Sequence, residues 1–273
     1  MTGLSTWDGL NISVRQWGDG PGVPLLCLPG LVRTGDDFAA LGPRYGQTRR
    51  VVSLDYLGRG GSDWSTDPAR YGAEATLRDV MDICAALHLH RVGVIGTSFG
   101  GLLAMGLAMG RPGLLAGVVL NDIGPELGAP GADSVLDFVS DTPDMPSQEA
   151  ALVYLRAQLR DGMRADSPGW ENLAALTYVP APNGTWRPHW DKRTKILMQG
   201  PPRPLWPLFN ALPDIPLLLV HGRLSRLLTD DGVAAMRAAR PAMPVVEVEN
   251  VGHAPTLAEP EVLAALDAFV ASL

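Results

Sequence analysis

The segment Val92-Gly93-Val94-Ile95-Gly96-Thr97-Ser98-Phe99-Gly100-Gly101 decides the fold class. Its first part is rich in β-branched residues, which favours a buried strand, and the residues that follow are rich in Leu, Ala and Met, which favours a helix. The whole stretch from Val92 to Gly110 carries no charge, but six glycines interrupt it. This punctuation predicts a strand, a tight turn and a buried helix better than it predicts a membrane span.

Strands and helices alternate on both sides of this segment. An alternating stretch typical of an antiparallel strand comes first, at Leu10 to Trp17. Apolar runs typical of buried strands follow at Val23–Leu28, Arg50–Leu54, Gly117–Leu120, Pro216–Val220 and Val245–Val248. Helical spacing occurs at Ala73–Leu87, Thr229–Ala239 and Pro260–Val270. The pattern predicts an α/β fold with a mostly parallel sheet covered by helices on both faces, and reactive groups at the carboxyl ends of its strands.

The alternation stops between about Pro125 and Leu212. This part is rich in Pro and Trp and has short helical patterns, such as Glu149 to Leu159. Ordered connections between core strands are usually far shorter, so a bare loop is an unsuitable interpretation. We therefore predict a core formed by residues 1–124 and 213–273, with residues 125–212 inserted as a helical cap.

Composition restricts the partners and the compartment. The chain has 273 residues, 46% of them hydrophobic, and a net charge of -7, which provides no basic surface for nucleic acid or an anionic membrane. We expect a small-molecule substrate as partner, and a homodimer is compatible with the sequence. Two cysteines and no recognisable secretory signal indicate buried thiols and a cytoplasmic location. No metal-ligand or phosphate-binding motif is present, so neither a metal nor another cofactor is expected.

The turn predicted at Gly96-Thr97-Ser98-Phe99-Gly100 matches the pattern Gly-x-Ser-x-Gly. A serine at the tip of a strand-to-helix turn has a strained backbone, and glycines on either side allow neighbouring chain to pass closely. The positive N-terminus of the following helix also favours negative charge beside the serine. These features predict that Ser98 is a nucleophile.

A serine nucleophile needs a proton acceptor and donors for the oxyanion. Of the five histidines, His253 alone follows the last predicted strand, whereas His221 ends an earlier strand and receives no role. His253 is therefore the predicted base. The backbone amides of Leu31, after Leu28-Pro29-Gly30, and of Phe99 are the predicted oxyanion donors.

Several motifs together resemble the α/β-hydrolase superfamily, and within it the bacterial enol-lactonases, esterases and C–C bond hydrolases. They are Leu28-Pro29-Gly30-Leu31, Asp55-Tyr56-Leu57-Gly58-Arg59-Gly60, Gly96-Thr97-Ser98-Phe99-Gly100-Gly101, Leu120-Asn121-Asp122-Ile123-Gly124-Pro125 and Gly252-His253-Ala254-Pro255. The resemblance covers essentially the whole chain. It implies the α/β-hydrolase fold and hydrolysis of a small ester, lactone or β-diketone-like C–C bond through an oxyanion intermediate. By the same resemblance, Asp55 and Arg59 build a loop and are not catalysts.

One position departs from the resembled group, whose catalytic acid lies in a Gly-x-x-Ser-Asp pattern after the strand before the last. This chain reads Gly222-Arg223-Leu224-Ser225-Arg226 there. Arginine cannot orient or stabilise the imidazole as a carboxylate does. In one explanation Asp122, which ends an earlier core strand, substitutes as the acid. In a second, Arg226 binds a substrate carboxylate or enolate in a non-hydrolytic cyclase, lyase or retro-Claisen reaction. In a third, the protein binds a small molecule without turnover.

Large aromatic residues are concentrated in the predicted cap. They could line a lid over an apolar acyl group or form the cap's own core. Trp190 is the one that we predict to bind substrate. The others are Trp170, Trp186, Trp206 and Tyr178.

Overall fold

The computed structural model describes residues 2–159, 162–163, 167, 169–199 and 203–273. Its strands are β1 (Thr2–Ser5), β2 (Asn11–Leu28), β3 (Arg49–Leu54), β4 (Val92–Thr97), β5 (Leu115–Asn121), β6 (Tyr178–Pro180), β7 (Trp186–Pro188), β8 (Leu217–Gly222) and β9 (Val245–Val248). Its α-helices are α1 (Leu41–Tyr45), α2 (Ala73–Ala86), α3 (Phe99–Gly110), α4 (Ala129–Asp141), α5 (Gln148–Gln158), α6 (Gly169–Thr177), α7 (Trp206–Asn210), α8 (Asp230–Ala239) and α9 (Pro260–Ala271).

The main sheet has the strand order β1-β2-β4-β5-β8-β9, and β3 also pairs with β2. The pairs β2/β4, β4/β5, β5/β8 and β8/β9 are parallel, whereas β1 pairs antiparallel with β2. The predicted mostly parallel sheet is confirmed. The carboxyl ends of β4, β5 and β8 are neighbours at one edge, as the pairs Thr97/Asn121 and Asn121/Val220 show.

Strand β2 differs from the prediction of two separate strands. It runs through 18 residues, but its register with β3 shifts between Trp17 and Leu25. As a result, Val51 of β3 has a partner in each half of β2, Trp17 in the first and Leu25 in the second. Gly18, with φ +65°, stands where the chain changes register. The prediction placed both apolar segments correctly and missed their continuity.

Apolar residues pack on both faces of the sheet, because successive residues of a buried strand point to opposite faces. Leu26 and Val94 belong to the cluster that includes residues of α2, α3 and α8. Leu25 and Ile95 belong to the cluster on the other face, with residues of α1 and α9. The expected covering of both faces by helices is therefore confirmed.

In its described residues, the segment between β5 and β8 contains four α-helices and the β6/β7 hairpin. It has a small apolar cluster of its own, which includes Leu155 and Tyr178, while Phe209 packs into the main core. The predicted limits of the cap at residues 125 and 212 stay a prediction. Within the described part of the chain, no helix has the length and apolar character needed to cross a membrane.

Candidate active site

Ser98 lies at the turn between β4 and α3 with φ 51° and ψ -115°. Side chains other than glycine rarely adopt this region, so surrounding contacts must maintain it. Its amide donates a hydrogen bond to the Asn121 carbonyl at 3.0 Å. The glycines are required by close approach, since a Cβ on Gly100 would lie 2.0 Å from the Leu28 carbonyl oxygen. The fold therefore holds Ser98 in one position, half-buried at the cavity.

His253 connects Ser98 to a carboxylate. Its Nε2 lies 2.9 Å from Ser98 Oγ, and its Nδ1 lies 2.7 Å from Asp122 Oδ2. Because an ionised carboxylate only accepts hydrogen bonds, the proton of the neutral imidazole belongs on Nδ1. Nε2 is then free to accept the proton of the Ser98 hydroxyl. This arrangement has the geometry of a serine–histidine–aspartate triad.

Asp122 follows β5 and is fully buried, with φ 54°. Besides His253, it accepts hydrogen bonds from the Gly222 amide at 2.9 Å and from Ser225 Oγ at 2.6 Å. Asp122 Oδ1, the oxygen that accepts from Gly222, also lies 3.3 Å from Nδ1 of His221. Burial alone raises the pKa of the Asp122 carboxyl, but the hydrogen bonds from His221, His253 and Ser225 outweigh it and lower the net pKa. Asp122 is thus held as an ionised carboxylate.

Arg226, at the position of the missing acid, points to a different part of the site. Its side chain is exposed and its Nη2 donates to the Ser134 hydroxyl of α4 at 3.1 Å. The preceding residue, Ser225, is the one that contacts Asp122. In the loop after β8, Ser225 therefore contacts the Asp122 carboxylate, whereas Arg226 contacts the segment between β5 and β8.

The loop after β2 lies against Ser98. A Cβ on Gly30 would lie 4.0 Å from Ser98 Cβ, and Leu31 borders the same cavity as Ser98. Arg59 Nε donates to the Leu31 carbonyl at 2.7 Å. Tyr56 donates to the Pro29 carbonyl at 3.0 Å. Leu31, in this loop, and Phe99, which directly follows Ser98, are the two predicted oxyanion donors, and both are near the serine turn. The role of their amides stays a prediction.

A cavity of about 1290 Å³ opens above Ser98. Residues of the core loops, including Ser98 and His253, form one wall. Helices α4 and α6 supply much of the other wall, with apolar side chains at Val135, Phe138, Leu173 and Leu176. The volume exceeds the range typical of sites for drug-sized ligands, so an extended substrate fits.

Trp190, which was predicted to bind substrate, is not among the residues that line the described cavity. Only 2% of Trp190 is exposed, and it packs against Phe138 within the main core. Its Nε1 donates to the Val139 carbonyl at 3.1 Å, so its polar atom is already satisfied. The cavity is lined instead by other residues of α4, α5 and α6.

Sequence reasoning missed His221 and Ser225 as parts of the site. His221 lies near the end of β8, and Ser225 lies in the loop that follows. Because Val220 of β8 pairs with Asn121 of β5, the residues that follow Val220 lie close to Asp122. A polar residue at the end of a buried strand was the available signal, but the neighbouring strand was not evident from the sequence. Among the described residues, His, Cys, Asp and Glu form no group of three or more arranged to hold a metal.

Comparisons with known proteins identify the family and agree with the fold. The family model of the alpha/beta hydrolase family matches residues 25–266. The chain is 32% identical to a 3-hydroxybutyrate-oligomer hydrolase of Cupriavidus necator, over 94% of this chain and 92% of that protein. It is 27% identical to a 2-hydroxy-6-oxo-2,4-heptadienoate hydrolase of Pseudomonas putida, over 64% of this chain and 63% of that protein.

A solved structure of an alpha/beta hydrolase from Novosphingobium aromaticivorans superposes with a TM-score of 0.94 at 33% identity, over 100% of this chain and 98% of that one. The strands that carry Ser98 and Asp122, β4 and β5, both lie within the segment that the family model matches. The chain belongs to the alpha/beta hydrolase family.

Proposed function

We propose that this protein is a serine-dependent ester hydrolase. The observation that carries the proposal is the continuous connection Ser98–His253–Asp122, with distances of 2.9 and 2.7 Å. In this mechanism Ser98 Oγ attacks the ester carbonyl carbon while His253 Nε2 accepts its proton. The amides of Leu31 and Phe99 donate to the developing oxyanion, and the N-terminus of α3 adds positive potential.

After the attack, His253 changes from proton acceptor to proton donor. His253 returns the proton to the alcohol oxygen as the C–O bond breaks, leaving an acyl group on Ser98. A water molecule, deprotonated by His253, then attacks the acyl carbon. The bond between that carbon and Ser98 Oγ breaks, the acid leaves, and His253 returns the proton to Oγ. Asp122 stabilises the His253 imidazolium during both acylation and deacylation. It thereby takes the role of the aspartate that the resembled group has at the position of Arg226. A buried, hydrogen-bonded carboxylate at this place supports turnover over the binding-protein alternative.

The substrate is an ester that carries a free carboxylate, and Arg226 anchors that group. Two arginines border the cavity among the described residues. Arg33 forms a bidentate pair with Asp37, at 2.8 and 2.5 Å, so its charge is neutralised within the protein. Arg226 contacts the neutral hydroxyl of Ser134, which leaves its charge for a ligand.

An oligomeric hydroxy acid ester has the required shape and chemistry. Such a chain ends in a carboxylate, repeats its ester bond and has an apolar backbone, which suits the large cavity and the side chains of α4 and α6. The name of the Cupriavidus necator relative, a 3-hydroxybutyrate-oligomer hydrolase, points to the same class.

Labelling with an organophosphonate tests the nucleophile. We expect the native protein to gain one phosphonyl group on Ser98, measured by intact mass and peptide mapping, and Ser98→Ala to gain none. Ser134→Ala is the matched control, because Ser134 also borders the cavity and should not affect labelling. An unlabelled native protein would contradict an activated serine.

The source of the product oxygen distinguishes hydrolysis from a rearrangement. Turnover of a 3-hydroxybutyrate dimer in ¹⁸O-labelled water should place one ¹⁸O in the released acid, because water attacks the acyl group. Products without ¹⁸O would favour the non-hydrolytic alternative over the proposed one.

Replacement of Arg226 tests the carboxylate anchor. Arg226→Met should raise KM for the free acid of the dimer by about 10- to 100-fold, since a hydrogen bond between charged groups contributes about 1.5–3 kcal/mol. The methyl ester of the same dimer, which lacks the charge, should change little. Arg91→Met, at an exposed arginine that directly precedes β4, is the control. Equal effects of Arg226→Met on acid and methyl ester would refute the anchor.

A further inference from the structure

His221 lies between two carboxylates. Its side chain is 1% exposed, its Nδ1 lies 3.3 Å from Asp122 Oδ1, and its Nε2 lies 3.2 Å from Asp230 Oδ1. Ionised carboxylates accept hydrogen bonds and do not donate them. A neutral imidazole has one N–H. Its unprotonated ring nitrogen would therefore direct a lone pair at a carboxylate oxygen, which is repulsive. Both contacts are favourable only when both nitrogens carry protons.

The other charges around His221 are compatible with a cation. Glu247 is its register partner on β9, at 37% side-chain exposure. Arg223 donates to Asp230 at 3.1 Å and lies 3.9 Å from Glu247, so this neighbouring cation is held on the outer side. Burial alone lowers the pKa of His221, but the interactions with Asp122 and Asp230 outweigh it and raise the net pKa.

We propose that His221 is a protonated positioning residue that shares the Asp122 carboxylate with His253. Its imidazolium contacts Oδ1 of Asp122 while His253 contacts Oδ2, so part of the carboxylate charge is neutralised away from the reacting side. The inference rests on the proposed role of His253 as the base. Its consequence is that Asp122 attracts a proton on His253 less strongly than the same carboxylate would without the His221 cation.

Asp230 sustains this arrangement from outside. It lies in the first turn of α8 and its side chain is 67% exposed, yet its Oδ1 is shared by His221 and Arg223. Neutralising Asp230 removes one of the two anions that favour the His221 cation. Asp230 thus controls the charge beside Asp122 without contact to Ser98, and its exposure makes it a site where substitution leaves the core packing intact.

Histidine ¹⁵N NMR in the Ser98→Ala background tests the charge of His221 independently of turnover. The five histidines are assigned by single His→Gln variants. We expect both ring nitrogens of His221 to show imidazolium signals at pH 7.5. Asp230→Asn should move the titration midpoint of His221 downward, while Asp231→Asn, one residue further in the same helical turn, should leave it in place. A neutral His221 at pH 7.5, or equal effects of the two variants, would overturn the proposal.

The coupling to His253 is tested with His221→Gln, which retains an N–H donor and removes the charge. The His253 midpoint in Ser98→Ala should rise by roughly one pH unit, as expected for loss of a nearby cation. In the active enzyme the acid limb of kcat/KM should rise equally. His90→Gln, at an exposed position, is the control. An unchanged His253 midpoint overturns the proposal.

The experiments separate this inference from the proposed function. Should the native protein resist phosphonate labelling while the NMR midpoints shift as expected, the proposed hydrolase mechanism fails and the His221 charge stands. Should labelling occur while His221→Gln lowers turnover without moving the acid limb or the His253 midpoint, the mechanism stands and His221 is only a structural hydrogen-bond donor.

Discussion

At the scale of single residues, several neighbouring groups fix the position of the Asp122 carboxylate. Its backbone has positive φ, and hydrogen bonds from the Gly222 amide and Ser225 hydroxyl fix the carboxylate beside His253. A carboxylate after β5 can therefore contact the imidazole as one in the loop after β8 would, since the ends of β5 and β8 are adjacent. In the proposed function this leaves Arg226 available to bind substrate.

Substitution of Asp122 tests its role as the acid. Asp122→Asn should lower kcat by about 10⁴-fold, because an amide favours the wrong tautomer of His253 and cannot stabilise its cation. KM should change much less. Circular dichroism and urea unfolding monitor the fold, and Asp137→Asn, a cavity residue outside the triad, is the control. Undiminished turnover in Asp122→Asn would show that another group is the acid.

At the scale of structural elements, the loop after β3 supports the loop after β2. Arg59 is fully buried and donates to the carbonyls of Leu31 and Leu57, at 2.7 and 2.6 Å. Burial lowers the pKa of Arg59 to about 10, and the guanidinium still keeps its charge at neutral pH. Loop-building, as the family resemblance implied for Arg59, here means fixing the backbone of a predicted oxyanion donor.

Replacement of Arg59 should affect the transition state more than substrate binding. Arg59→Met keeps the length of the side chain but removes both hydrogen bonds, so Leu31 loses its fixed position. We expect kcat to fall by about 10- to 100-fold with a smaller change in KM, consistent with a weakened oxyanion contact. Steady-state kinetics measure both constants, and urea unfolding reports the accompanying loss of stability. An effect confined to stability would assign Arg59 a purely structural role.

At the scale of the whole molecule, the cavity exists because the segment between β5 and β8 folds over the sheet edge. Trp190 packs on Phe138 and donates to the Val139 carbonyl, both in α4 of the same segment, and its backbone forms an isolated β-bridge with Arg59 of the core. Val135 of α4 and Leu173 of α6 border the cavity, as does Phe138 itself. The segment thus supplies both a packing contact to the core, through Trp190, and side chains that line the cavity.

Substitution at Trp190 and Leu173 separates these two tasks. Trp190→Phe should lower the free energy of unfolding by about 1–2 kcal/mol, through the lost hydrogen bond and a small cavity, with KM nearly unchanged. Leu173→Ala should raise KM for an oligomeric ester with a smaller effect on stability. Denaturant unfolding and kinetics of both variants measure the contrast. A selective rise of KM in Trp190→Phe would restore Trp190 as a substrate contact.

The sequence was sufficient to predict the parallel sheet, the serine turn and the choice of His253 among the histidines. Strand and helix periodicity and the glycines of the turn are local patterns, and the order of residues along the chain singles out His253. The place of Trp190 was not predictable in this way, since an aromatic side chain looks the same in a core and in a pocket wall. Only the tertiary structure decided which carboxylate reaches His253 and that His221 contacts it too. Both contacts join residues about a hundred or more positions apart, and they depend on the pairing of β5 with β8.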